Sequence, residues 1–267
     1  YQMITEEDMN ALHRYILWDD TEFELLTEGP RHRQLLLSIL NDKKSNVLLR
    51  EALIARQLGL KHNTQMHSTV NGVTIFDATC PVFGNHYEIK DEQHTSGNLD
   101  RKSQSGQLSG TGVFSTIVDD GTFNKLRDSD PTIAHGMFID GRLVLLVTFK
   151  LSECQAALDR IERYFRGPTK TAPRYSYQDW CNLPNLKIEY VSPYWPEHIS
   201  KKYRKEFMQR AGLLPIQPQI SSQKKRSSPS TKSHPSLQTP IPCTLTHDQQ
   251  LILDFVDTQP TSLCEIS

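Results

Sequence analysis

The sequence predicts an α/β fold followed by a flexible C-terminal extension, and three observations carry that reading. Apolar residues recur at helical spacing over 4–40, 47–58 and 154–165. Apolar or alternating runs at 73–78, 86–90, 136–139, 142–149 and 186–191 read as strands set between helices. Beyond Pro215 the composition changes: Gln, Ser, Pro and Lys dominate as far as Pro242, and aromatic residues vanish.

Taken in order, the run over 4–40 predicts two helices, with Thr5 as the capping residue and Glu6, Glu7 and Asp8 matching the dipole of the first turn. The helix over 47–58 carries Glu51 and is stopped by Gly59. The strand at 73–78 is joined to that at 86–90 by a two-residue turn at Gly84-Asn85. A polar, Gly/Ser-rich loop over 93–112 follows, containing Arg101 and Lys102, and then a helix over 114–126. Asp140-Gly141 between two apolar runs predicts a type I′ hairpin. An amphipathic helix over 154–165, a short strand over 186–191 and a basic helix over 199–213 complete a folded unit spanning 1–214, with its core at about 45–165. The basic helix contains Lys201, Lys202, Arg204, Lys205 and Arg210. Residues 215–243 form a basic Ser/Pro-rich linker with Lys224, Lys225, Arg226 and Lys232. Residues 244–267 form a helical segment, read either as the opening of a helix-turn-helix domain or as a docking helix.

Composition narrows the classes of function. Thirty Lys and Arg against 31 Asp and Glu give a net charge of -1, so a polyanion can be held only by local basic patches. Five cysteines, odd in number and without a Cys-x-x-Cys pair, argue against a disulfide frame or a structural zinc site. They suit a reducing, cytoplasmic setting. The longest apolar stretch, 143–149, is far too short to span a bilayer, so no membrane role is expected. The start at Tyr1 and the end inside a helical pattern are read as a piece of a longer protein.

The residues that point to chemistry lie between Asp77 and Lys90. Side chains two apart on a strand share a face, so Glu88 and Lys90 project together. With the turn at Gly84-Asn85, Asp77 pairs with Glu92, and Asp77, Glu88 and Lys90 share one face; a one-residue slip separates them. Paired carboxylates beside a lysine suit phosphodiester hydrolysis. Asp77, Glu88 and the Ile89 carbonyl are hard oxygen ligands suited to Mg²⁺, and Lys90 places a positive charge beside the attacking water. Asp91 and Glu92 are rival ligands in a different register. His86, His94 and His135 have no partner at ligand spacing and are read as structural or facing nucleic acid.

This arrangement resembles the PD-(D/E)xK nuclease superfamily, especially type II restriction endonucleases. Asp77 stands for the first acid, Glu88 for the second and Lys90 for the lysine, with Phe76 in place of the family's proline. Glu51 stands where many members carry a glutamate from a preceding helix. The resemblance implies a restriction-endonuclease-like α/β fold, a mixed sheet flanked by helices. It also implies Mg²⁺-dependent cleavage of double-stranded DNA, often by a homodimer. Arg101 and Lys102 in the loop, and Lys201, Lys202 and Lys205 on the basic helix, are the expected DNA contacts. Tyr175 and Trp180 read first as core anchors and second as stacking platforms for bases. A repair or recombination nuclease of the same fold, and a non-catalytic DNA-binding or interaction protein, are the alternative readings.

Overall fold

A computed structural model describes residues 4–42, 47–63, 76–94, 109–114, 117, 119–167, 172–197 and 199–214. The linker, the C-terminal helical segment, and Arg101 and Lys102 lie outside the described residues.

The N-terminal run forms three helices where periodicity predicts two: α1 (Glu6–Ile16), α2 (Asp20–Leu25) and α3 (Pro30–Asn41). The break comes at Trp18, whose backbone is left-handed at φ 66°, and at Pro30, which can only open a helix here. Thr5 and Asp8 form a reciprocal capping box at the start of α1, and the Asp19 side chain caps α2. Helix α4 (Val47–Gln57) follows.

A mixed six-stranded sheet runs in the order β1 (Lys61–His62), β2 (Ala78–Thr79), β3 (His86–His94), β5 (Thr132–Ile139), β6 (Arg142–Lys150) and β8 (Lys187–Val191). All its neighbours are antiparallel except β3 and β5, which are parallel. Strands β4 (Gly112–Val113) and β7 (Arg174–Tyr175) pair separately. The helix predicted over 114–126 instead begins later, as α5 (Asp120–Ser129), because Asp119 and Thr122 cap each other and fix the start. Strand β5 begins at Thr132, earlier than its apolar run suggested, since His135 and Gly136 interrupt that run in sequence but are buried with it. Asp140 and Gly141 adopt φ 51° and 75°, the two positive values a type I′ turn requires.

Helices cover both faces. Leu12, Ile16, Phe23, Leu36, Leu40, Leu53 and Ile54 from α1–α4 pack with Ile89, Ala134, Phe138 and Leu146. On the other face, α6 (Gln155–Arg166), α7 (Tyr177–Trp180) and α8 (Lys201–Arg210) join α5 over Ile133, Met137, Val147 and Phe149. Buried on both sides, β5 and β6 read as nearly continuous apolar runs, as central strands do. Tyr175 and Trp180 are fully buried in the second layer, so the stacking role for them is not supported and the core role holds. No described helix is long and apolar enough to cross a membrane.

The β2–β3 turn departs from expectation. Ala78 pairs with Tyr87 and Thr79 with His86, and the Cys80 amide donates to the Asn85 carbonyl. The turn is therefore the four residues Pro81–Gly84, not Gly84-Asn85, with Gly84 left-handed at φ 70° and its amide donating to the Cys80 carbonyl. Asp77 consequently faces Glu88, not Glu92. The register has moved by four residues, an even number, so the side-chain parity is preserved.

Candidate active site

The antiparallel register sets Asp77, immediately before β2, across from Glu88. Asp77 Oδ2 accepts the Ile89 amide at 2.7 Å, which pins the carboxylate against the backbone of β3. In an extended strand a residue's N–H and C=O point to the same side, so the Ile89 carbonyl also faces the side on which Asp77 lies. Lys90 follows one pleat along and donates from Nζ to Glu88 Oε1 at 2.6 Å. Its ammonium also sits 4.8 Å from the centroid of the Phe114 ring. Asp77, Glu88, Lys90 and the Ile89 carbonyl thus form one cluster, as the spacing predicted.

The electrostatics of this cluster are those of a crowded anion site. Burial, then the Glu88 charge and to a lesser degree that of Glu51, push the Asp77 carboxyl up from 3.8 to about 7, against the opposing pull of Lys90 and the Ile89 amide. Burial works against the Lys90 ammonium, yet Glu88, Asp77 and Glu51 outweigh it and raise its pKa overall. Two carboxylates with one lysine leave a surplus of negative charge, a donor set that a hard divalent cation would satisfy. Among the described residues, no group of three or more His, Cys, Asp or Glu side chains is arranged to hold a metal ion. The set consists of two side-chain carboxylates and a backbone carbonyl.

Glu51 is buried on α4, with its carboxylate 3.9 Å from His62 Nε2. Its charge acts on both Asp77 and Lys90. It is an electrostatic neighbour of the cluster, and it lies beside a histidine that sequence reasoning did not single out. Lys201, Lys202 and Lys205 are exposed on α8, which is anchored by buried Phe207 and Met208. Tyr203 of α8 stacks on Tyr177, so those lysines belong to the layer on the same side of the sheet as Glu88 and Lys90.

The rival ligands are engaged elsewhere. Asp91 points to the other face and pairs with Arg50 of α4. Glu92 shares the face of Glu88 and Lys90 but serves as a structural acceptor: Oε1 takes the Ser109 amide at 2.6 Å and Oε2 the Gly110 amide at 2.7 Å. His94 Nε2 lies 2.8 Å from Oε1. His135 is wholly buried beside it, with Nδ1 2.8 Å from the Tyr175 hydroxyl and Nε2 3.8 Å from Glu92 Oε2. Burial opposes ionisation of Glu92, but His135, His94 and the Ser109 amide hold its carboxyl well below the usual range. Gly112 leaves room for this assembly: a β-carbon there would stand 2.2 Å from the Tyr175 ring.

A prediction follows for Glu92→Gln. A depressed folded-state pKa stabilises the fold above the unfolded value, here 4.5, and that stability is lost as pH falls toward the lower folded value. The variant is expected to lose about 3 kcal/mol at pH 7. The difference from wild type should narrow below about pH 4.5. Urea unfolding at pH 7 and pH 3 measures this, and equal losses at both pH values would remove Glu92 from the anchoring role.

Sequence reasoning missed Glu92 as an anchor, His62, Phe114 and the His135–Tyr175 pair. For Glu92 a signal existed in its even spacing from Glu88 and Lys90. The others come from distant segments and left none.

No protein-family model matches the chain, and no curated protein matches it at a significant level.

Proposed function

We propose that the chain is a Mg²⁺-dependent endonuclease of the PD-(D/E)xK kind that hydrolyses double-stranded DNA, acting as a type II restriction enzyme. The observation that supports it most is the register that sets Asp77 across from Glu88, with Lys90 bonded to Glu88 on the same face. A mixed sheet with helices on both faces is the setting the resemblance implies.

Asp77, Glu88 and the Ile89 carbonyl would hold the ion, which when bound supplies Lewis acidity and a water of lowered pKa. The chain's own groups do the rest. Lys90 fixes the Glu88 carboxylate and offers a positive charge where the attacked phosphate gains negative charge. The Ile89 amide keeps Asp77 from swinging away. Burial of the cluster strengthens these charges relative to water. Lys201, Lys202 and Lys205, together with Arg101 and Lys102, are assigned to DNA phosphates.

The test is incubation of unmethylated plasmid DNA with purified protein, in Mg²⁺ or in chelator. Cutting at one short site only with Mg²⁺ is expected. Cutting directed by ends or branches would reassign the protein to repair or recombination. Metal-independent cutting, or none on any duplex, would sink the nuclease reading.

A further inference from the structure

The hairpin that carries the carboxylates also carries the most exposed large apolar side chains among the described residues, Phe83 at 78% and Val82 at 77%. We propose that the Pro81–Gly84 tip is a duplex-contacting wedge, in which Phe83, flanked by Val82, presses against or between base pairs beside the cut. This inference rests on the nuclease reading and names a part of the substrate that the catalytic cluster does not touch.

Position supports it first. The parallel ladder with β5 begins only at Tyr87, opposite Thr132, and β2 ends at Thr79. Residues 80–85 therefore lie beyond the last β2–β3 pair, Thr79 with His86, on the end of the sheet where Asp77 and Glu88 lie. Phe83 stands five residues from Glu88 and so no more than about 17 Å from it. A duplex seated on the carboxylates extends well beyond that distance in both directions. Shape supports it second. The tip is a tight turn, held by the Gly84 amide on the Cys80 carbonyl and the Cys80 amide on the Asn85 carbonyl, so its apolar residues are presented on a fixed scaffold. Charge supports it third. The chain carries 31 acidic residues, yet residues 80–87 contain none, while His86 is exposed at the tip's base and Lys61 on β1 pairs beside it with Thr79. A nucleic-acid duplex fits such a tip. Its phosphates meet no carboxylate there, and its stacked bases offer an apolar interior to a phenyl ring.

The experiment uses a duplex cut from the plasmid substrate, or an arbitrary duplex if none is cut, with 2-aminopurine placed at successive positions and chelator present. Wild type is expected to raise the 2-aminopurine fluorescence at one or two adjacent positions, which reports unstacking. Phe83→Ala should abolish that rise and weaken duplex binding about tenfold or more. Phe83→Leu, which keeps an apolar wedge, should retain much of both. Thermal unfolding checks that the variants fold. Unchanged fluorescence and affinity in Phe83→Ala would overturn the wedge. So would loss of a dimer in Phe83→Ala by light scattering with duplex binding intact, which would assign the tip to a second copy of the chain. Wild-type cleavage, measured in parallel with Mg²⁺, judges the nuclease reading separately. Binding with unstacking but no cleavage would retain the wedge and discard the nuclease, and cleavage without a Phe83 effect would do the reverse. Neither binding nor cleavage would end both.

Discussion

Lys90→Ala is expected to lose both cleavage and stability, and the two losses have one cause. The Lys90 ammonium is bonded to Glu88 Oε1, stands over the Phe114 ring and stabilises two further carboxylates by charge. Its removal leaves Asp77 and Glu88 facing one another across the register, with Glu51 nearby, and no lysine between them. Breaking a buried ion pair from one side costs about 3–5 kcal/mol. For a folded unit of this size that corresponds to a drop of roughly 10 °C in Tm. On the proposed nuclease reading, cleavage should fall about a hundredfold or more, because the charge proposed to meet the phosphate in the transition state is gone. The double variant Glu88→Gln with Lys90→Met separates the effects: it should regain most of the stability and none of the cleavage. Calorimetry and plasmid cleavage on the three proteins decide it. A Lys90→Ala protein as stable as wild type, or one that cuts at the wild-type rate, would show that the lysine is an ordinary solvated side chain.

Asp77→Asn should do the opposite to the fold while also silencing the proposed cleavage. In the folded protein the Asp77 carboxyl is raised from 3.8 to about 7. The sign follows directly: a raised folded-state pKa stabilises the fold at a pH below the unfolded value, and that contribution is lost as pH rises through the folded value. Above about pH 7 the ionised carboxylate burdens the fold by up to about 4 kcal/mol, at about 1.36 kcal/mol per pKa unit. Asparagine stays neutral and can still accept the Ile89 amide. The variant is therefore expected to melt several degrees above wild type at pH 8 and together with it near pH 4. Mg²⁺ should raise the wild-type Tm at pH 8 and leave the variant's unchanged. A variant that melts below wild type at pH 8 would count against a crowded carboxylate pair.

The cluster was legible because it is local. Asp77, Glu88 and Lys90 lie within fourteen residues of one another in one hairpin, and strand parity alone places them on one face. The turn was misplaced because Gly84-Asn85 satisfies a two-residue turn as well as Gly84 satisfies the end of a four-residue one, and sequence does not separate the two. The prediction survived because both turns keep the same parity. What lay hidden was the surroundings. Phe114, His135 and Tyr175 reach the β3 strand from segments 24 to 87 residues away from Lys90 or Glu88, and no periodicity links them. The helix predicted over 114–126 failed for a related reason: apolar Phe114 and Ile117 are buried in the core from irregular chain after β4, while Asp119 set the true helix start. The split of the N-terminal run into three helices likewise turned on Trp18, whose left-handed backbone leaves no mark in composition.

The parallel pairing of β3 with β5 has a consequence for synthesis. Between them the chain makes an excursion over residues 95–131, so their junction forms late compared with the β5–β6 hairpin, which a two-residue turn closes at once. Domains emerge from the ribosome N-terminal end first. Asp77, Glu88 and Lys90 are therefore made long before Tyr175 and Trp180, which complete the layer above them. Until those arrive, the three charges belong to a solvated hairpin with little mutual hold. A half-made chain therefore carries the three side chains without the enclosed centre in which they are proposed to work.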